Sequence, residues 1–415
     1  MHAVRGELHA PIFSPRIHRR PVKAWSRTAM ANRRALSTDP VAPSNADWTG
    51  DAHTILSDEV TLKMKGKQMQ RRTFFKNGLL LAALVPGTQS IAASVIQKEP
   101  ESTGWDDGLA HPIPYPRGNG LSRGIAFGGG GIVLLSFYAG YFHALKKNGL
   151  DLSNADVVVG TSAGSIFGAM LMSGNLYRLY DELDFFGDFP ALFAKLVPET
   201  KQNPSQARAT HLSLIAKDAS VETIQAIGRA AMAARNPGGE DTYYKTVKTI
   251  IGLSDWKSRA LHVTANDCYT GERIVVSKES NIPVDVACGA SSSLPGGAGP
   301  TFLKDRLCMD GGICETSTHS DVIRGVKKAL VFSLGDGTVN EVNQGLRTSS
   351  MPDTLLKEIE ILRAAGTDTQ HIVTGLAPGI DHVDSIMNPK YITPYLKFGL
   401  DRGNADANNL KSFWS

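Results

Sequence analysis

From residue 123 the chain alternates short apolar runs with stretches of helical spacing. Arg123–Phe127 reads as a strand that runs into four glycines, Gly128–Gly131, and then into Ile132–Leu135. Tyr138 to Lys147 has helical spacing and stops at Asn148-Gly149. Asp156–Val159 is a second, buried strand, and a helix opens at Ser162 and continues through Ala169, Met170 and Leu171. This strand–helix–strand–helix order predicts a parallel sheet covered by helices. Helical patterns follow at Leu176–Phe186, Phe193–Val197 and Val221–Ala234. Their aromatics Tyr177, Tyr180, Phe185, Phe186, Phe189 and Phe193 are expected mostly in the core. Leu261–Asp267 and Arg273–Ser277 read as a hairpin across Thr270-Gly271, and Ala290–Gly297 as a small-residue helix end and loop. An apolar strand end at Cys308–Asp310 precedes Gly311-Gly312. Then come a helix over 318–328 and a strand over Ala329–Leu334. A helix with Leu355, Leu356, Ile359, Leu362 and Ala365 on one face follows, and an edge strand at His371–Val373. No repeat is visible.

The front of the chain is different. Residues 1–63 show neither apolar period, are rich in Arg, Pro, Ser, Thr and His, and are expected to be disordered. Within 64–93, Arg71-Arg72-Thr73-Phe74-Phe75-Lys76 precedes the apolar stretch Leu79–Val85 and the small residues Ser90–Ser94, the layout of an export signal. The apolar stretch is too short to span a bilayer. The paired arginines resemble a twin-arginine signal. The expected location is therefore periplasmic or secreted, with membrane association left open. Because such signals begin near a start residue, Met64 or Met69 is the expected start, and residues 1–63 an over-extended frame. Residues 94–121, with Pro100, Pro112, Pro114 and Pro116, read as a linker or surface arm, leaving 122–415 as the folded domain.

The net charge of +4 suggests a nucleic-acid binder until its distribution is considered. Residues 1–76 hold 14 of the 44 Lys and Arg but only 6 of the 40 Asp and Glu, so the remainder is mildly acidic. A nucleic-acid partner is not indicated. Cys268, Cys288, Cys308 and Cys314 have no metal-ligand spacing. Buried thiols and a Cys308–Cys314 disulfide are both compatible with the sequence.

The candidate chemistry lies at Gly160-Thr161-Ser162-Ala163-Gly164, a G-x-S-x-G between a strand and a helix. That is the context of a nucleophile elbow, whose serine stands at a helix N-terminus. Gly128–Gly131 fits neither the dinucleotide fingerprint, which needs glycine where Val133 stands, nor the phosphate loop, which needs Lys-Ser/Thr. No nucleotide is expected. Beside an elbow, such a loop can offer backbone N–H groups to an oxyanion. A serine also needs a base. A triad would take His319, His371 or His382, and a dyad would take Asp310.

Taken together, these motifs resemble the bacterial patatin-like phospholipases. The family's glycine-rich loop matches Gly128–Gly131 and its G-x-S-x-G matches Gly160–Gly164. Its A-S-x-x-L-P matches Ala290–Pro295 and its D-G-G matches Asp310–Gly312, all in family order. The resemblance covers roughly 122–375. It implies a three-layer α/β/α fold with a mostly parallel sheet, related to the α/β-hydrolases. The implied activity is hydrolysis of lipid acyl esters, on phospholipid or lysophospholipid at a membrane surface. Ser162 would be the nucleophile and Asp310 the base, with N–H groups of the glycine loop around the oxyanion and no metal or cofactor. The chain departs from the family at Ile132-Val133, where Arg or Lys and then Gly are usual. Some bacterial members similarly lack the basic residue. An esterase on other acyl esters and a silent lipid-binding protein are the alternatives.

Overall fold

The structure, a computed structural model, describes residues 109–110, 114–197, 202–234, 239–297, 299–313, 318–335, 343–346 and 354–415. The export signal, the expected disorder over 1–63, Cys314 and most of the 94–121 arm lie outside the described residues.

Among the described residues the sheet has eight strands. They are β1 (Arg123–Phe127), β2 (Val157–Gly160), β3 (Leu261–Asp267), β4 (Arg273–Val276), β5 (Thr301–Leu303), β6 (Arg306–Asp310), β7 (Lys328–Ser333) and β8 (Asp368–Val373). The order is β5-β6-β3-β2-β1-β7-β8, with β4 also paired to β3. The pairs β2–β3, β1–β2, β1–β7 and β7–β8 are parallel, whereas β3–β4, β3–β6 and β5–β6 are antiparallel. The expected mostly parallel α/β sheet is therefore mixed at one side. Alternation along the strands separates two cores. Ile125, Phe127 and Val158 face one, and Ala126, Val157 and Val159 face the other. Helices pack into both, which gives three layers.

On the first face lie α1 (Gly131–Lys147), α2 (Ala163–Met172), α3 (Leu176–Asp188) and α4 (Pro190–Leu196), while α5 (Pro204–Ile215) and α6 (Val221–Ala233) pack on a third, smaller core with Cys268, Met309 and Ile313; α7 (Gly239–Ile251) and α8 (Val284–Ser291) return to the first face. On the second face lies α9 (Thr354–Ala364). The last helix, α10 (Ile392–Trp414), packs along α1. Helix α1 begins at Gly131 rather than Tyr138 and is buried from Ile132 to Leu145. It is enclosed by the sheet and α10, and this is why it carries no polar face.

Several expectations are corrected. No helix spans 318–328. Ser320–Ile323 is a short 3₁₀ turn, because His319 has φ 52° and Glu358 captures the groups a helix would need. Leu356 is exposed, as is Ala365, so the α9 stripe is narrower than the spacing suggests. Among the α3–α4 aromatics only Phe193 is fully in the core, while Tyr177, Phe185 and Phe189 are exposed. Cys268, Cys288 and Cys308 are buried free thiols. The described part of the arm lies on the domain, with Ala110 bridged to Val275 and the Arg117 N–H donated to Val322 O.

Helix α10 escapes a sequence reading because its buried stripe includes Gly399, Gly403 and Ala407 beside Tyr395, Leu396 and Leu410. The glycines let two backbones touch: a Cβ on Gly399 would lie 2.3 Å from Phe137 O, and one on Gly140 2.1 Å from Leu396 O. Gly399→Val must therefore push the helices apart. We expect a loss of about 1–3 kcal/mol in urea unfolding, with Ala405→Val, exposed on the same helix, as the control for unspecific effects.

Candidate active site

Strand β2 ends at Gly160, and the chain reverses into α2 within two residues. Ser162 takes the turn, with φ 53° and ψ −122°, outside the regions most side chains accept. The fold pins that conformation on every side. The Thr161 N–H donates to Phe127 O at 3.0 Å, and the Ser162 N–H donates to Ser291 Oγ at 2.8 Å. The Thr161 and Thr264 hydroxyls share a hydrogen bond of 2.9 Å. Gly164 must be glycine: a Cβ there would sit 2.3 Å from Phe127 O, where α2 crosses β1.

The glycine loop lies against this turn. A Cβ on Gly129 would stand 2.9 Å from Ser162 Cβ. The N–H of Gly128 donates to Phe332 O at 2.9 Å, so Gly128 is a structural member of the loop and not a free donor. The N–H groups of Gly129, Gly130, Gly131 and Ala163 have no acceptor among the described residues. Gly131 and Ala163 open α1 and α2, whose first turns leave such donors unpaired. The sequence reading assigned Ala163 only to the elbow; its place one residue after Ser162 is the signal that makes it a donor as well.

Asp310 ends β6 and is completely buried. Backbone bonds run from Asp310 N–H to Ser293 O (2.9 Å) and from Gly311 N–H to Ser291 O (3.2 Å), so the Ser291–Ser293 segment ties Asp310 to the elbow. The Gly312 N–H donates to Asp310 Oδ1 at 2.8 Å, and Oδ2 accepts no well-formed hydrogen bond. Burial pushes the carboxyl up to about 7, against the opposing pull of the Gly312 N–H and the nearby Ser162 hydroxyl. Burial, and then the Asp310 charge, push the Tyr243 phenol up as well.

The histidines are placed otherwise. His319 uses both ring nitrogens, toward Gly311 O at 2.6 Å and Arg273 Nη1 at 3.3 Å. Burial, and then Arg273, lower its pKa to about 3. His371 bonds the Ser333 hydroxyl, and His382 bonds Asn343 O. None of the three is bonded to Ser162 or Asp310. Asp336, a second Asp-Gly aspartate, lies outside the described residues.

Ser162 opens onto a partly open cavity. Ile132, Leu135, Ile166, Phe193, Val247 and Ile250 form much of its wall, with Tyr243, Thr246 and Ser292 as polar members. Ile132, the departure noted in the sequence, is thus a piece of apolar wall. A nucleophile with a neighbouring carboxylate, unpaired N–H donors and an apolar cavity can carry out acyl transfer on a hydrophobic ester.

Residues 125–322 match the family model described as patatin-like phospholipase. No curated protein matches the chain significantly. Among solved structures, VipD from Legionella pneumophila is similar over 69% of this chain and 67% of its own, at 13% identity and a TM-score of 0.36. Human GIVD cytosolic phospholipase A2, solved with methyl gamma-linolenyl fluorophosphonate, is similar over 71% of this chain and 59% of its own, at 12% identity and a TM-score of 0.37. The type III effector ExoU of Pseudomonas aeruginosa aligns over 74% of this chain and 56% of its own, at 14% identity and a TM-score of 0.33. The chain thus spans about three fifths of the length of the latter two. Ser162, Asp310 and the glycine loop all fall within the matched segment, and residues 125–322 of this chain are a patatin-like phospholipase domain.

Proposed function

We propose that this protein is a serine acyl hydrolase that cleaves fatty-acyl esters of phospholipids or lysophospholipids. The observation that carries the reading is that Ser162, which lines an apolar cavity, lies beside the buried Asp310 carboxylate. Asp310 takes the hydroxyl proton as Ser162 Oγ attacks the ester carbonyl. The N–H groups of Gly129, Gly130, Gly131 and Ala163 receive the oxyanion. As the tetrahedral species collapses, the bond to the leaving oxygen breaks, and that oxygen takes the proton from Asp310. Water then gives its proton to the same carboxylate as it attacks the acyl-enzyme; collapse breaks the bond to Ser162 Oγ, which takes that proton back from Asp310 as the fatty acid leaves. The alignment of β2 and α2 puts the positive end of the α2 dipole under the developing charge. The paired arginines Arg71-Arg72 and the apolar stretch behind them support an exported enzyme of bacterial type.

The test is fatty-acid release from mixed phospholipid vesicles and from a chain-length series of aryl esters. Ser162→Ala should lower turnover by at least about 10³-fold with the protein still folded. Full activity in that variant would remove the serine from the mechanism. Release from esters but not from phospholipids would limit the enzyme to other acyl esters, and no release from either would leave a lipid-binding protein. Gly129→Ala sets a methyl against Ser162 and disturbs the donor loop, and should lower kcat by about 100-fold.

The base must be ionised, so kcat/KM should rise with pH through about 7 and then level off. A rate that is flat from pH 5 to 9 would count against Asp310 as base. Stability should run the other way. A carboxyl whose folded pKa lies above its unfolded value destabilises the fold progressively as pH climbs from about 4 to about 7. Asp310→Asn has no such dependence. Its stability relative to wild type should therefore be greater at pH 8 than at pH 5, by about 2 kcal/mol in denaturant unfolding.

A further inference from the structure

We infer that His319 is a positioning residue for Asp310: it fixes the Gly311 carbonyl and so aims the Gly312 N–H at the carboxylate. This rests on the acyl-hydrolase reading only for its kinetic consequence.

His319 is completely buried, and its backbone is in the left-handed region at φ 52°. Such a conformation persists only where the surroundings enforce it. The enforcement is on both sides. Thr318 donates to the Glu358 carboxylate through its N–H (3.3 Å) and hydroxyl (2.5 Å), and the Ser320 N–H donates to Glu358 Oε2 at 3.2 Å. The ring is set from the other side by Arg273. Arg273 forks onto Asp321 at 2.6 and 2.9 Å, and its Nη1 donates to His319 Nδ1 at 3.3 Å. Because Nδ1 accepts, Nε2 carries the hydrogen and donates to Gly311 O at 2.6 Å.

The geometry runs in one unbroken series. The Tyr115 N–H of the N-terminal arm donates to Asp321 Oδ2 at 2.7 Å. Asp321 holds Arg273, Arg273 orients His319, and His319 holds Gly311. Gly311 stands between Asp310 and the Gly312 N–H that bonds Asp310 Oδ1 at 2.8 Å. The other side of this turn is already fixed by the bonds to Ser291 and Ser293. Without His319 the Gly311 carbonyl is free to rotate, and the Gly312 N–H rotates with the chain.

Among the described residues, the remaining groups facing the carboxylate are the Ser162 hydroxyl from the start of α2 and the Tyr243 phenol from α7. Neither moves with the Gly311 turn. Loss of the Gly312 N–H should therefore raise the Asp310 pKa further, since that donor favours the ionised form.

The experiment uses the full chain as wild type, His319→Gln and His319→Asn. A Gln amide nitrogen reaches the place of Nε2, and the shorter Asn amide does not. With a long-chain aryl ester from pH 5 to 9, His319→Asn should lose at least about tenfold in kcat with KM within about twofold. Its acid limb should move up by roughly half a pH unit. His319→Gln should keep the wild-type limb. The same displacement should appear without substrate. Adding Asp310→Asn to each background and following melting against pH reports where Asp310 titrates in the folded protein. Equal limbs and equal melting profiles in all three backgrounds would overturn the positioning role, as would losses of activity that simply follow the folded fraction. If wild type turns over no ester but the melting profiles shift as stated, the positioning role stands and the acyl-hydrolase reading falls.

Discussion

The structure depends on the crossing of α2 over the end of β1. At that point two backbones lie so close that only hydrogen fits on Gly164, and the approach obliges the intervening residue, Ser162, to take a left-handed backbone. Such a conformation costs about 1–3 kcal/mol at a non-glycine residue and holds only if the surroundings leave no alternative. Here they leave none. The N–H groups of Thr161 and Ser162 are bonded, one to the main chain of β1 and one to the Ser291 hydroxyl, and the sheet and α2 are fixed by the aromatic packing of Phe127, Phe142 and Phe167. Strain and packing are two sides of one arrangement. The turn that is unfavourable for the backbone holds the hydroxyl clear of it.

Asp310 is the second unfavourable element. It is a fully buried carboxylate that, among the described residues, has one N–H donor and no paired cation. A structural aspartate in such a place is normally paired, as Asp321 is with Arg273 and Asp267 with Arg306. Arg273 is turned onto Asp321 and His319. The contrast has a chemical meaning. Although burial opposes it, Arg273 keeps Asp321 below the ordinary carboxylate range, where it is too weak a base to take a proton. Asp310, pushed upward by burial, is matched to accepting one near neutral pH.

Much of this was legible in the sequence because short motifs encode tight backbone geometry. G-x-S-x-G specifies the crossing at Gly164, and the strands at 123–127 and 261–267 were visible from their apolar runs. Three of the missed or misplaced helices have a physical reason. Helix α5 is announced by Asn203 and Gln206, which form a capping box around Pro204, but its body has almost no apolar stripe. Helix α10 carries its stripe partly as glycine and alanine, so close packing takes the place of bulk. The turn at 318–323 has helical spacing, yet Glu358, nearly forty residues later, captures its donors. A long-range bond of this kind has no local signature. The same holds for His319, whose use follows from Arg273 on a different strand.

On the proposed acyl-hydrolase reading, Ile132 leaves the start of α1 without a side-chain cation beside the glycine loop. Side-chain charge and backbone dipole are alternative ways to stabilise an anion, and they differ in what they demand of the wall around it. A guanidinium or ammonium needs its own partners and water, which an apolar cavity withholds. Unpaired N–H groups at a helix start need neither, because the helix that supplies them is itself buried. Helix α1 is buried from Ile132 to Leu145, and helix α2 from Ala163 to Leu171, so both helix starts reach the cavity from inside the protein. With donors supplied from that side, the position after Gly131 is free to be apolar. Isoleucine there extends the hydrophobic wall up to Ser162, where an acyl chain would lie.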